Sequence, residues 1–127
     1  MSRTGTGKSI EPTRACRVLL VEDESLVAML VEDMLHELGC EVVLAMRFDE
    51  AMRLAQESSI QMAVLDVNLG SELSYPVADV LRQRGIPFLF ATGYGTRGLE
   101  SSYRAVPTLQ KPFAIDELAR LMARARR

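Results

Sequence analysis

Short apolar runs alternate with amphipathic segments along the chain from residue 16 to residue 126. The apolar runs are rich in Val, Leu, Ile and Phe, which favour buried strands. They span residues 16–21, 41–45, 60–67, 86–91 and 106–110. Segments with apolar residues at helical spacing follow four of these runs, at 25–38, 49–56, 76–84 and 115–126. The alternation predicts an α/β fold, a doubly wound five-stranded parallel sheet in the order 2-1-3-4-5 with helices on both faces.

The first predicted helix begins at Ser25, a residue type that commonly caps helices, and ends before Gly39. A mostly apolar stripe runs along it at helical spacing, through Leu26, Met29, Leu30 and Met34. Residues 93–105, between the fourth and fifth strands, contain three glycines and only a weak helical pattern. We therefore predict a short or mobile fourth helix there.

The composition and net charge of the chain limit the kinds of protein that it can be. Residues 1–14 are rich in Thr, Ser, Gly and charge, which predicts a flexible N-terminal tail ahead of one domain at 15–127. The net charge of −2 gives no reason to expect binding to nucleic acid or a membrane surface. No apolar run approaches the roughly 20 residues of a membrane span. Two cysteines are too few for a disulfide framework, so we expect a reducing, cytoplasmic setting.

Polar residues that could take part in a reaction lie where the predicted strands end. Glu22 and Asp23 follow the first strand, Asp66 the third, Thr92 the fourth and Lys111 the fifth. In a doubly wound fold the working site lies beyond these carboxyl ends. Three carboxylates brought together repel one another, and a hard divalent cation such as Mg²⁺ (or Mn²⁺) would relieve that repulsion.

This set of residues is suited to phosphoryl transfer. With Mg²⁺ and Lys111 holding phosphoryl oxygens, Asp66 could attack phosphorus in line as a nucleophile. Thr92 would donate a hydrogen bond to another of those oxygens. Pro112 follows Lys111 directly, and a cis bond between them would fix the loop.

Three segments resemble the motifs of response-regulator receiver domains, and the resemblance covers residues 16–126. They are VLLVEDE at 18–24, AVLDVNL at 63–69 and QKPF at 110–113. The resemblance implies the flavodoxin-like receiver fold, with Asp66 as the phosphorylated residue. It implies that Mg²⁺ is held by Glu22, Asp23, Asp66 and the carbonyl of Asn68. It also implies that Thr92 and Lys111 contact the phosphoryl group, and that the small Gly93 leaves room for it.

Residues 87–94, PFLFATGY, resemble the PFxFATGY signature of a subgroup of single-domain receivers nicknamed FAT GUY. Some members of that subgroup act in stress-response phosphorelays. Tyr94 either shields the acyl phosphate from water together with Asn68, which would tune its hydrolysis, or packs on the surface. The chain departs from many receivers at Thr108, where the fifth strand usually carries an aromatic switch residue.

The expected function is that of a single-domain response regulator in a two-component system or phosphorelay. It would catalyse phosphoryl transfer to its own Asp66 and slow autodephosphorylation, and would not be an enzyme towards other substrates. Expected partners are a sensor histidine kinase or a histidine phosphotransfer protein, with the chain a monomer or weak dimer. Two alternatives remain: a haloacid-dehalogenase-type phosphatase, which would need a second acid where Asn68 stands, and a binding module that does not use phosphate.

Overall fold

Five parallel strands form the central sheet of the computed structural model, which describes residues 16–57, 59–93 and 99–126. The strands are β1 (Arg17–Val21), β2 (Glu41–Ala45), β3 (Met62–Asp66), β4 (Phe88–Thr92) and β5 (Thr108–Gln110). Hydrogen bonds place them in the order β2-β1-β3-β4-β5, with every neighbouring pair parallel. The predicted doubly wound fold and its strand order are therefore confirmed.

Four α-helices accompany the sheet at positions that overlap the predicted segments. They are α1 (Ser25–Glu37), α2 (Phe48–Leu54), α3 (Tyr75–Gln83) and α4 (Ile115–Ala125). The prediction that Ser25 caps α1 was wrong. The Glu24 carbonyl already accepts the bond from the Ala28 N–H at 2.8 Å, so Glu24 holds the cap position and Ser25 is the first helical residue. Gly39 follows α1 with φ +88°, a left-handed conformation that glycine adopts readily.

The three central strands, β1, β3 and β4, are buried on both faces, because successive side chains point to opposite sides of the sheet. In β1, Val18 and Leu20 belong to one core and Leu19 and Val21 to the other. The first core contains buried residues of α1 and α4: Val31, Leu35, Leu118, Leu121 and Met122. The second contains buried residues of α2 and α3: Ala51, Tyr75, Val77, Ala78 and Leu81. The sheet is thus covered by α1 and α4 on one side and by α2 and α3 on the other.

Helix α1 has apolar residues on its exposed side as well as on the side that packs on the sheet. Its buried residues are Ala28, Val31 and Leu35. Three members of the predicted apolar stripe face solvent instead, with exposed fractions of 76% for Leu26, 59% for Met29 and 61% for Leu30. Leu35 is fully buried and Met34 packs against the same core, so the exposed apolar residues of α1 form a second, separate surface.

A short antiparallel hairpin, Asn68–Leu69 paired with Glu72–Leu73, follows β3 and was not predicted. Between β4 and β5, the described residues contain one helical turn, the 3₁₀ helix Ser101–Tyr103. This agrees with a short fourth helix, whereas residues 94–98 lie outside the described part of the chain. Residues 1–15 lie outside it too, so the division into a tail and a domain stays a prediction. In the described ranges, no helix has the length and apolar character needed to cross a membrane.

Candidate functional site

Lys111 lies directly after β5, and two carboxylates from other strands share its ammonium group. Its Nζ is 2.8 Å from Oε1 of Glu22, which follows β1, and 3.1 Å from Oδ2 of Asp66, the last residue of β3. The side chains of Glu22 and Asp66 are only 2% and 10% exposed. Ion pairs this well shielded from water are strong individual contacts, because screening by solvent is weak there. The predicted meeting of these strand ends is thus present as direct contact.

Asp23 completes an acidic cluster with Glu22 and Asp66. One carboxylate oxygen from each of the three residues lies within 4.8 Å of the other two. Oδ2 of Asp23 also accepts a hydrogen bond of 2.8 Å from the backbone N–H of Gly70, in the turn of the hairpin. Gly70 has φ +64°, a conformation in which a side chain would be strained. The hairpin turn therefore positions one of the three acids.

The donor set fits a hard divalent cation. Three carboxylates at one sheet edge supply the oxygen ligands that Mg²⁺ prefers, and a bound ion of this kind also keeps several waters. Asp23, the most accessible of the three, leaves one side of the cluster open to solvent. The cluster could therefore bind a metal ion, as predicted from the strand ends.

Burial and neighbouring charges change the pKa values of Glu22 and Lys111. Burial raises the pKa of the Glu22 carboxyl, as does the charge of Asp66, although the hydrogen bond from Lys111 lowers it. Burial lowers the pKa of the Lys111 ammonium, but its bonds to Glu22 and Asp66 outweigh that effect and the net change is a rise. Lys111 is thus firmly charged, and Glu22 carries an ionised form that the folded protein disfavours.

The remaining predicted residues border this cluster. Thr92 ends β4, is 3% exposed, and its carbonyl accepts a bond of 2.9 Å from the Lys111 N–H. Asn68 is exposed, and its N–H donates to Oδ1 of Asp66 at 3.2 Å. Within the part of the chain that the structure describes, a Cβ added to Gly93 would meet no atom within 4 Å. The phosphoryl-contact roles of Thr92, Gly93 and Lys111 and the hydrolysis role of Asn68 stay predictions.

The peptide bond between Lys111 and Pro112 is cis, as predicted. Tyr94 lies outside the described residues, so the choice between shielding and surface packing stays open. Thr108, at the position where many receivers carry an aromatic, is partly buried, and its Oγ1 donates to the Val106 carbonyl at 3.0 Å. The Thr108 side chain is therefore hydrogen-bonded to the backbone just before β5.

Two backbone contributions to the site were missed. The N–H of Gly70 anchors Asp23, and the N–H of Glu24 donates to Oε2 of Glu22 at 3.2 Å. A signal for the first was present, because Gly70-Ser71 is a dipeptide typical of turns. The second had no such signal, since any non-proline residue at position 24 supplies the same N–H.

Comparison with known proteins gives a consistent result. Residues 18–123 match the family model described as the response regulator receiver domain. The curated protein PhyR, the phyllosphere-induced regulator of Methylorubrum extorquens, is 31% identical over 125 residues, which cover 94% of this chain and 46% of PhyR. The transcriptional regulatory protein PdtaR of Mycobacterium tuberculosis is 33% identical over 80% of this chain and 52% of its own length. The chain thus spans about half the length of these curated relatives.

Solved structures agree in fold. SdrG from Sphingomonas melonis Fr1 is 41% identical, with a TM-score of 0.81 over 90% of this chain and 99% of the SdrG chain. A second solution structure records the BeF3-activated conformation of SdrG, attributed to Pseudomonas melonis Fr1, with 43% identity and a TM-score of 0.72 over 84% of this chain and 92% of that one. The receiver domain of the sensor histidine kinase PA1611 from Pseudomonas aeruginosa PAO1, solved with a magnesium ion coordinated in its active site cleft, is 27% identical. Its TM-score is 0.76 over 86% of this chain and 95% of that one. Because the family model covers most of the chain and the fold agrees, this protein belongs to the response regulator receiver domain family of two-component signalling.

Proposed function

We propose that Asp66 of this receiver accepts a phosphoryl group from the phosphohistidine of a sensor kinase or phosphotransfer protein, in a Mg²⁺-dependent reaction. The observation that carries the proposal is the position of Lys111, whose ammonium lies 3.1 Å from Oδ2 of Asp66. The same Asp66 belongs to the three-acid cluster with Glu22 and Asp23. An anionic phosphoryl donor requires positive charge near the attacking aspartate. Lys111 and a metal ion bound by the acidic cluster would supply that charge.

The chemistry needs little beyond positioning. A carboxylate oxygen of Asp66 attacks phosphorus, the bond from phosphorus to the histidine nitrogen breaks, and that nitrogen leaves with the electron pair. When bound, Mg²⁺ (or Mn²⁺) would be held by Glu22, Asp23, Asp66 and the carbonyl of Asn68, and would neutralise charge on the phosphoryl oxygens. Lys111 and the hydroxyl of Thr92 bind the remaining oxygens. Water later hydrolyses the acyl phosphate slowly. Both steps take place on the protein's own Asp66, so no other substrate is involved.

Two similar proteins support this assignment. SdrG is recorded in a BeF3-activated conformation, and the PA1611 receiver holds a magnesium ion in its cleft. The segment PFLFATGY at 87–94 supports a finer placement in the FAT GUY subgroup. The proposed readout of this chain is protein contact or phosphate flow. A setting inside the cell, where kinases of this class present phosphohistidine, belongs to the same proposal.

The phosphodonor would dock on the exposed face of α1. Leu26, Met29 and Leu30 form an apolar surface on that helix, and such surfaces commonly mark interaction sites. A groove of about 310 Å³ continues from Leu30 to the loop after β5, and its lining includes Lys111, Pro112 and Phe113. Because Lys111 also contacts Asp66, a helix seated in this groove would bring a phosphohistidine to the reacting aspartate. The occupant is thus a helical histidine-bearing partner.

The test is incubation of the full chain with acetyl phosphate and Mg²⁺, followed by intact-mass measurement. We expect the mass to rise by one phosphoryl group in the wild type, and not in Asp66→Asn or in the presence of EDTA. Asp49→Asn, which changes an aspartate exposed at the start of α2, is the matched control and should be phosphorylated like the wild type. Turnover of many phosphate esters would favour the phosphatase instead. Neither a phosphoryl nor a beryllofluoride adduct, together with no Mg²⁺ affinity, would leave the binding module.

A further inference from the structure

Two cysteines meet at the edge of the sheet opposite the acidic cluster. Cys16 and Cys40 come directly before β1 and β2, and the strand register pairs Arg17 with Glu41. The register continues outward, because the N–H of Glu41 donates to the Cys16 carbonyl at 2.9 Å. The two Sγ atoms are 3.1 Å apart. Neighbouring strands lie about 4.8 Å apart, which is within the Cα separation that a disulfide spans.

A positive charge faces one of the two sulfurs. Nη2 of Arg126, just after α4, donates to Sγ of Cys16 at 2.8 Å. The hydrogen bond from the Cys40 thiol and the charge of Arg126 lower the pKa of Cys16 against the effect of burial, while the pKa of Cys40 is raised. The pair is therefore asymmetric, because the guanidinium contacts Cys16 and makes it the thiol that ionises more readily.

A small oxidant can reach these sulfurs. Cys16 and Cys40 are 6% and 7% exposed, and both line a groove of about 180 Å³ that opens between Leu38, the Cys pair and the end of α4. Met122 and Arg126 are among its other lining residues. No disulfide joins the pair, so both thiols are available for reaction. An activated thiol, an adjacent resolving thiol and an access route are the features of an oxidation site.

We propose that Cys16 and Cys40 form a reversible oxidation site for hydroperoxides, which closes a disulfide between the starts of β1 and β2. The Cys16 thiolate attacks one oxygen of the peroxide, the O–O bond breaks, and hydroxide leaves, giving a sulfenic acid. The sulfur of Cys40 then attacks that sulfur, and the hydroxyl leaves as water with the Cys40 proton. Two thiols are oxidised by two electrons and one hydrogen peroxide becomes two waters. Arg126 positions and stabilises the reacting thiolate.

The site is separate from phosphorylation. The strands that link the two edges contain five residues each, so roughly 16 Å separates the cysteines from the acidic cluster. The chain between the cysteines contains β1, the acids Glu22 and Asp23, and the whole of α1. A disulfide would close this loop in the unfolded chain and should raise the Tm by about 10 °C.

Hydrogen peroxide is the probe, applied to the full reduced chain and followed by denaturation and alkylation with N-ethylmaleimide. We expect a monomer two hydrogen atoms lighter than the reduced protein, with neither cysteine alkylated and a Cys16–Cys40 cross-link in the peptide map. Dithiothreitol should restore both thiols and the original Tm. Two alkylated cysteines after peroxide treatment, disulfides only between molecules, or sulfinic acid without a cross-link would each overturn the proposal.

Variants test the separate roles. Cys40→Ser should stop at a sulfenic acid on Cys16 that dimedone traps, whereas Cys16→Ser should leave Cys40 reduced. In a chain that keeps both cysteines, Arg126→Ala should slow oxidation by peroxide about tenfold relative to the wild type. Arg126→Lys, which keeps the charge, should be oxidised at a rate close to that of the wild type. If Cys40 in Cys16→Ser reacts as fast as Cys16 does in Cys40→Ser, the assignment of the attacking thiol is wrong. Arg124→Ala, an exposed arginine of the same helix end, is the matched control.

Discussion

Glu22 and Lys111, 89 positions apart in the chain, approach within 2.8 Å, closer than Lys111 approaches Asp66 at 3.1 Å. The lysine proposed to bind the phosphoryl group is thus engaged by a proposed metal ligand as well as by the acceptor. Neutralisation of Glu22 by a divalent cation would free the ammonium to turn towards a phosphoryl group on Asp66. We therefore expect metal binding and phosphoryl binding to be coupled through the side chain of Lys111.

Removal of Lys111 should separate stability from catalysis. Lys111→Ala leaves Glu22 and Asp66 without their cation, and we expect the metal-free free energy of unfolding to fall by about 3 kcal/mol. Mg²⁺ should then raise the Tm more than it does in the wild type, because it is the only charge compensation left. Phosphorylation by acetyl phosphate should slow about 100-fold.

The matched control for this lysine is Arg47→Ala, which removes an ion pair of 3.8 Å to Asp49 whose side chains are about four-fifths exposed. Surface pairs of this kind contribute little, so the Tm and the phosphorylation rate should not change measurably. Equal stability of Lys111→Ala and the wild type, measured by urea unfolding in EDTA, would show that the central ion pairs are not formed in solution.

Stability without metal should depend on pH through Glu22. Its pKa is raised by burial first and then by the charge of Asp66, so within the window above the unfolded value of about 4.3 the folded state holds more protons than the unfolded state. Stability from this group therefore increases as pH falls through the folded pKa and decreases as pH rises. Glu22→Gln should be more stable than the wild type at pH 7 in EDTA, and the difference should shrink towards pH 5.

We expect Mg²⁺ to stabilise the wild type, and we expect Glu22→Gln to lose that stabilisation. Thermal unfolding across pH 5 to 8, with EDTA and with excess Mg²⁺, checks both outcomes. A wild type that loses stability relative to Glu22→Gln as the pH falls would contradict the sign of the pKa change.

Two glycines near the site should respond differently to alanine. Gly70→Ala places a side chain at φ +64°, which costs about 1 kcal/mol, and disturbs the turn that holds Asp23. We expect lower stability and weaker Mg²⁺ binding, measured by calorimetry. Gly93→Ala adds a Cβ that meets no described atom within 4 Å, at a position without a positive φ, and should leave stability and Mg²⁺ binding unchanged. Equal behaviour of the two variants would show that the hairpin turn does not position the acid.

The apolar face of α1 should govern transfer from a protein donor but not from a small molecule. Leu30→Ser removes a side chain that is 61% exposed and borders the groove to Lys111. We expect the Kd for the cognate phosphodonor protein to rise at least about fivefold, with the acetyl phosphate rate unchanged. Leu73→Ser, a comparably large exposed side chain on the hairpin, is the control and should bind the donor normally. Surface plasmon resonance with both variants decides the matter.

Most of the fold could be predicted from the sequence, because strands that are buried on both faces consist of continuous apolar runs. The same reasoning located Glu22, Asp23, Asp66 and Lys111, since parallel strands end at one edge. It did not predict the contacts that backbone groups make in the site. The hairpin that anchors Asp23, for example, depends on a left-handed turn at Gly70. The sequence left open which side of α1 is covered, because the apolar stripe through Leu30 has the same spacing whether it faces the core or solvent.

The packing around Tyr103 gives the protein an optical reporter of its own. Tyr103 is 2% exposed, and its ring stacks on Tyr75 with centroids 5.1 Å apart. Its hydroxyl donates to Asp79, and the Arg82 guanidinium lies 4.2 Å from its ring centroid. The chain has no tryptophan and only three tyrosines, so these two rings dominate its near-ultraviolet signal. Any movement of the segment before β5 would change tyrosine emission and circular dichroism directly, without a label.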